Sequence, residues 1–274
     1  MVYSRFLSFL SLCLTVLFSL SACAARSFVP RPVVSGIELP SGEAAALFRQ
    51  LRLKDWEIFN LRSLWRVILT HAGERTALRY AMVYQRPDCL RLEVLPPGIA
   101  QSLKLVVAKG GKAILLDIPE KTAYRGYSVE ELLKKVFKVP LAEAGLASLL
   151  LARIPQHPLG PSDNNNWRAF YDETAESYTV FNQGRGEYYW LDKTDLLLRR
   201  VEMRNMFNDE LVLRVGYDDF FLSADVALPE KVFVQLPQEK LAVELGLVSI
   251  NLNQKIADEM FEIEIPPHYR IKSK

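Results

Sequence analysis

The side chains able to do chemistry are few and scattered. His71, His157 and His268 are the only histidines; they sit in turn-like stretches far apart, and no pair has metal-ligand spacing. Gly184-Arg185-Gly186 lies between two strand-like runs with no helix after it. That fits a hairpin turn better than a phosphate loop. The acidic pairs Glu130-Glu131 and Asp218-Asp219 fall at a helix start and beside a turn. Tyr188, Tyr189 and Trp190 could stack a sugar, but their setting is an alternating strand. No catalytic residue, metal or cofactor is expected, and an enzyme is not indicated. Cysteine is the remaining reactive type, present three times as Cys13, Cys23 and Cys89. Cys13 lies inside an apolar run, and Cys89 opens a strand pattern as a small core residue. Cys23 stands apart and sets the reading of the amino-terminal segment.

Cys23 ends Leu20-Ser21-Ala22-Cys23, which follows the apolar run Phe6 to Leu20 with Arg5 ahead of it. A positive start, an apolar middle and small residues at a cut site read as a secretory signal over residues 1–22. The run is short for a membrane span, which needs roughly 20 apolar residues. A small-residue pair before Cys, with Leu three places ahead, resembles the lipobox of bacterial lipoproteins. That resemblance implies cleavage before Cys23, a thioether-linked diacylglycerol and an acylated amino terminus. Such an anchor holds because each buried methylene contributes ~0.8 kcal/mol. An ordinary signal with an incidental Cys, or an uncleaved anchor, is the alternative. Ala24 and Ala25 follow. By the proteobacterial sorting rule, the absence of Asp at the second position implies the outer membrane, facing the periplasm.

Removal of residues 1–22 would take Arg5 and no acid, leaving 33 basic against 32 acidic residues of the original 34 and 32. So balanced a chain is no partner for nucleic acid. Half of the residues are hydrophobic, ample for a large core. With one Cys left in the body, no internal disulfide is possible and the fold must hold by packing.

Residues 23–40 carry Pro30, Pro32, Gly36 and Pro40 with little periodicity, which predicts a tether. Ser41 then caps a short helix with Leu47, Phe48 and Leu51 on one face. Alternation predicts strands over 56–70, 76–85, 89–95, 103–107 and 113–118. Ser128 and Glu131 have the spacing of a capping box, followed by Val129, Leu132, Leu133, Val136 and Phe137 at helical spacing. A second helix, Leu141 to Ala152, is apolar nearly all round, with Leu146, Leu149 and Leu150 among its members. Seven or eight strands complete the chain, the last over Phe261 to Ile265.

A sheet of 11–13 strands must curl, and its buried face must meet something. The expectation is mainly β (α+β): one curled antiparallel sheet forming a half-open β-barrel over residues 41–274, with a helical lid at about 128–153. Leu90, Leu92, Val94, Leu103 and Leu105 would line a hollow from the strands. Leu132, Leu133, Val136, Phe137, Leu146, Leu149 and Leu150 would close it from the helices. Periodicity equally allows helices that complete a solid core.

Several pieces resemble the family of LolA/LolB-like lipoprotein carriers, in order from about Leu47 to Tyr269. They are Tyr84 to Val94, the loop Pro96-Pro97-Gly98-Ile99, Leu103-Lys104-Leu105, the lid ending Leu149 to Pro155 and the closing Phe261 to Pro266. The family lid usually has Gly before its Pro where this chain has Ala152-Arg153, which implies a distant member. The resemblance implies a monomeric outer-membrane lipoprotein without cofactor that takes acyl chains or lipoproteins from a LolA-like periplasmic carrier. It also implies membrane contact by the loop Pro97, Gly98 and Ile99. The family's apolar position falls at Gly98, one place before Ile99, which is expected either to be solvent-exposed and touch lipid or to fold back and staple the turn. A binding module of the same fold, acting on a protein or another lipid in envelope assembly, is the alternative.

Overall fold

The computed structural model describes residues 34–99, 101–137, 143–154 and 166–274, with the backbone alone at 137, 143 and 144. The first half comprises β1 (Ile37–Glu38), α1 (Ser41–Trp56), β2 (Asn60–His71), β3 (Glu74–Gln85), β4 (Cys89–Leu95), β5 (Lys104–Lys109), β6 (Lys112–Asp117) and β7 (Thr122–Arg125). Two helices follow, α2 (Val129–Phe137) and α3 (Glu143–Leu150). The second half comprises β8 (Trp167–Asp172), β9 (Ser177–Asn182), β10 (Glu187–Asp192), β11 (Leu198–Arg204), β12 (Leu211–Ser223), β13 (Val226–Leu236), β14 (Leu241–Leu252) and β15 (Arg270–Ser273).

All fifteen strands join one sheet in the order β1-β8-β9-β10-β11-β12-β13-β14-β2-β3-β4-β5-β6-β7-β15. The sheet is mixed, not purely antiparallel, because β15 runs parallel to β7. It is not closed; β1 and β15 are its edges. The sequence pattern undercounts it because β1 and β7 are too short to show alternation. β15 carries Arg270, Lys272 and Ser273, all exposed, so burial leaves no periodic mark on it. Phe261 to Ile265 is not a strand. A 3-10 turn spans Asp258–Phe261, and Ile263 and Ile265 then pack across the outer face of the sheet.

Contacts of α1 require the sheet to curl. Phe48 meets Trp167 of β8 edge-on, with ring centroids 6.4 Å apart. Seven residues on, Asp55 accepts a 2.8 Å hydrogen bond from the guanidinium of Arg86, just after β3. Seven helical residues span ~10 Å. β8 and β3 are eight places apart in the sheet, ~38 Å if it were flat. One concave face therefore wraps the helices. Val67, Leu92, Leu115, Val201 and Val215 belong to a single buried cluster with Phe48, Leu133 and Leu149.

The antiparallel order also sorts the turns. Those joining β2–β3, β4–β5, β6–β7, β9–β10, β11–β12 and β13–β14 all lie at one end of the sheet. Those joining β3–β4, β5–β6, β8–β9, β10–β11 and β12–β13 lie at the other.

The helix signals resolve differently. At α2 the capping box forms: the Glu131 amide donates to Ser128 Oγ at 3.2 Å, and the Ser128 amide donates to Glu131 Oε2 at 3.0 Å. At α1 Pro40 takes the cap position and no side-chain cap forms, so Ser41 is the first helical residue instead. α1 also runs on to Trp56, further than its short apolar stripe indicates. Just past α3, Ala152 adopts φ +52°, a left-handed conformation where glycine is the usual residue.

Candidate functional site: an apolar cavity under the second lid helix

α3 lies across β12–β14 and β3 with its leucines inward. Leu146, Leu149 and Leu150 face Leu213, Val215, Val232 and Val243 across a wholly apolar cavity of about 60 Å³. The wall is built by cross-strand register: Val215 stands opposite Val234, and Val234 opposite Val243, on three neighbouring strands. Tyr80 of β3 is the polar exception among the lining side chains. Burial pushes its phenol up to about 12, so it stays protonated and neutral.

Tyr80 and Val243 also line a larger cleft of about 320 Å³ that leads outward. Leu69, Leu241 and Val136 of α2 form its apolar walls. His71, Glu74, Thr76 and Glu239 form a polar rim. These rim residues belong to the β2–β3 and β13–β14 connections, so the cleft opens at one defined end, here the mouth end. At about 60 Å³ the cavity holds only a few methylene groups as it stands.

Arg153 closes the opposite end. It is buried, and its guanidinium donates to Lys54 O of α1 at 3.3 Å and to Ala227 O of β13 at 3.2 Å. It also donates to Leu151 O and Ala152 O at the end of its own helix. Burial pulls its pKa below the ordinary guanidinium value, partly offset by Glu57 and Asp55. Arg86 adds a second tie at that end through Asp55 and Ile58 O.

The expected lining residues separate into groups. Leu146, Leu149 and Leu150 line the cavity, and Val136 lines the cleft. Leu90, Leu92 and Val94 of β4 and Leu132 and Leu133 of α2 are buried in the same cluster. Leu105 faces the other way, into a second cluster with Val107, Leu116 and Ile263 on the outer face. Both faces of β5 are covered, so its run of apolar residues gives no parity; Val106 and Ala108 are the inward pair. Leu103 is half-buried in the loop before β5. The side chain of Phe137, and the whole of Cys23, His157 and Leu141, lie outside the described residues. The cavity wall on β12–β14 and Tyr80 were missed as site residues. Their alternation is plain in the sequence, but which strands face the lid depends on sheet order.

At the mouth end the β4–β5 loop is pinned by Arg79, whose guanidinium donates to Ile99 O at 2.9 Å. Gly98 there has φ +71°, and the Ile99 side chain is 55% exposed. The aromatic run of β10 is occupied otherwise. Tyr188 stacks on Phe181 at 4.4 Å, and the Arg200 guanidinium covers Trp190 at 3.7 Å. Among the described residues no three His, Cys, Asp or Glu side chains converge as a metal site. A separate open groove lies on the outer face, lined by Lys112, Ile114, Arg125 and Ile271.

No protein-family model and no curated protein matches the chain. Solved structures do. A DUF1329 family protein from Desulfovibrio piger superposes with a TM-score of 0.58 at 11% identity, over 81% of this chain and 97% of that one. A LolA superfamily protein from Nitrosomonas europaea gives 0.53 at 11% identity, over 78% and 97%. A domain described as an outer membrane lipoprotein-sorting protein, from Vibrio parahaemolyticus, gives 0.52 at 12%, over 81% and 97%. The fold is LolA-like. At these identities the likeness concerns the backbone arrangement alone.

Proposed function

We propose that this chain is a lipid-anchored, LolB-like receptor that holds acyl chains between the curled sheet and α3. The sheet acts as a half-open barrel, and the helices close it. The observation that carries the reading is the wholly apolar cavity beneath α3, continued by a cleft that opens at one end. Likeness to LolA superfamily and lipoprotein-sorting structures supports it. Binding needs no nucleophile. It exchanges leucine contacts of the lid for contacts with a fatty chain, each methylene moved being worth ~0.8 kcal/mol.

The closed cavity is too small for a chain, so uptake requires α3 to move. Arg153 fixes the far end of α3, which makes that end the pivot of the movement. Acylation at Cys23, an outer-membrane location on the periplasmic face and receipt of cargo from a soluble LolA-like carrier belong to the same proposal.

The test is binding of a fluorescent fatty-acid analogue to the purified protein, with hexadecanoate as competitor. Val136→Glu puts a charge in the half-buried wall of the cleft and is expected to weaken binding at least tenfold. Leu150→Ala enlarges the cavity and is expected to strengthen it. Binding indifferent to both substitutions would contradict the reading.

A further inference from the structure

The β11–β12 hairpin ends in a tip that presents two large apolar side chains. Phe207 is 100% exposed and its neighbour Met206 59%. This exposure does not come from a loose loop. The Phe207 amide donates to Asn205 Oδ1 at 2.9 Å, the Asp209 amide to Asn205 O at 2.8 Å, and Arg204 Nη1 to Asp209 O at 3.0 Å. Arg204 is itself anchored in the sheet by the buried carboxylate of Glu202 at 3.1 Å. The tip is therefore built to hold two large apolar side chains in water, which costs free energy unless something covers them.

Its position says what does. The β11–β12 and β4–β5 connections lie at the same end of the sheet, and that end is where the cleft opens. Between these two connections in sheet order stand the β13–β14 and β2–β3 connections, which form the cleft rim. The mouth is thus flanked on one side by Ile99 and on the other by Met206 and Phe207. Another exposed apolar group sits at the far end, where Leu53, Trp56, Phe59 and Leu222 are found. There Arg86 covers the Trp56 ring at 5.3 Å, and Arg86 and Arg153 tie the sheet and helices shut.

We infer that the Met206-Phe207 hairpin is a second membrane-inserting tip, which together with Ile99 seats the mouth on a phospholipid bilayer. The inference rests on the acyl-carrier reading for its occupant. Two tips set apart across the mouth fix its orientation, which a single loop cannot. A chain would then pass from cleft to bilayer without crossing water.

Benzoylphenylalanine placed singly at positions 207, 99, 222, 248 and 149 of the full-length chain tests this in the membranes of the expressing cells. Val248 is exposed on the side wall and serves as a control, as does Leu222 at the far end. After irradiation, mass spectrometry should find phospholipid adducts at 207 and 99 at least fivefold above those at 222 and 248. Phospholipid at 222 with none at 207, or a protein adduct in place of lipid at 207, would overturn the inference. Position 149, inside the cavity, reports independently. Acyl adducts there with none at 207 would remove the second tip and keep the carrier. Adducts at 207 with none at 149 would do the reverse.

Discussion

Arg153 is a buried cation spent on backbone carbonyls from three elements. Replacing it with Met keeps the aliphatic stem and leaves those carbonyls short of a donor. Hydrogen bonds to a charged group contribute ~1.5–3 kcal/mol. Arg153→Met is therefore expected to lower stability by about 2–3 kcal/mol in urea unfolding and to raise the rate of fatty-acid uptake, since the pivot of α3 is freed. Glu187 gives a pH signature. Burial raises its pKa above the ordinary carboxylate value, with the Tyr189 hydroxyl, bonded at 3.0 Å, only partly opposing. Between the unfolded and the raised folded value, the native state keeps a proton that the unfolded chain has lost. Its contribution is present below the ordinary carboxylate range and falls as pH rises through the folded value. Unfolding titrations of Glu187→Gln should lose that slope; an unchanged slope would assign it elsewhere. Neither role was legible in the sequence. Arg153 stands beside the lid only as a departure from a family pattern, and Glu187 reads as a polar residue in an alternating strand. Both depend on burial by elements distant in the chain.

α2 was the most legible element, because Ser128 and Glu131 cap it through contacts only three residues apart. α3 was legible as a helix buried on several sides, since its apolar residues leave no wet face. Its termination was not. Ala152 at φ +52° bears a Cβ in a conformation that costs an L-residue ~1–2 kcal/mol. Ala152→Gly relieves that cost and gives back part of it as unfolded-chain entropy. A gain of about 1 kcal/mol is expected by denaturant unfolding, with fatty-acid binding retained. A loss of stability would show that the Ala152 methyl, which is buried, contributes packing that outweighs the strain. Strand β5 shows where alternation fails. Leu105 and Val106 are both buried, on opposite faces, so hydropathy cannot say which lines the interior. The alternation of the C-terminal segment that covers Leu105 predicts another strand for the same reason: Ile263 and Ile265 alternate with Glu262 and Glu264 whether the backbone pairs or merely crosses a sheet.

At the scale of the molecule, the class was legible from the count and spacing of alternating runs, and a sheet of that size had to curl. Strand order was not. β14 returns to pair with β2 along eleven register positions, from Leu241 opposite His71 to Leu252 opposite Leu61. That single long pairing joins the two halves of the chain into one wall and brings Val243 and Tyr80 to the same cavity. It also places the cleft rim between the Ile99 loop and the Phe207 tip. The cavity under α3 measures about 60 Å³, so the account stands or falls on whether the space there accepts a fatty chain. Native mass spectrometry of the full-length protein, released gently from membranes, measures this most directly. The account predicts a population carrying the mass of a bound lipid or acylated peptide, which is lost in Val136→Glu. A protein that is uniformly empty under the same release, with Leu150→Ala equally empty, would contradict it.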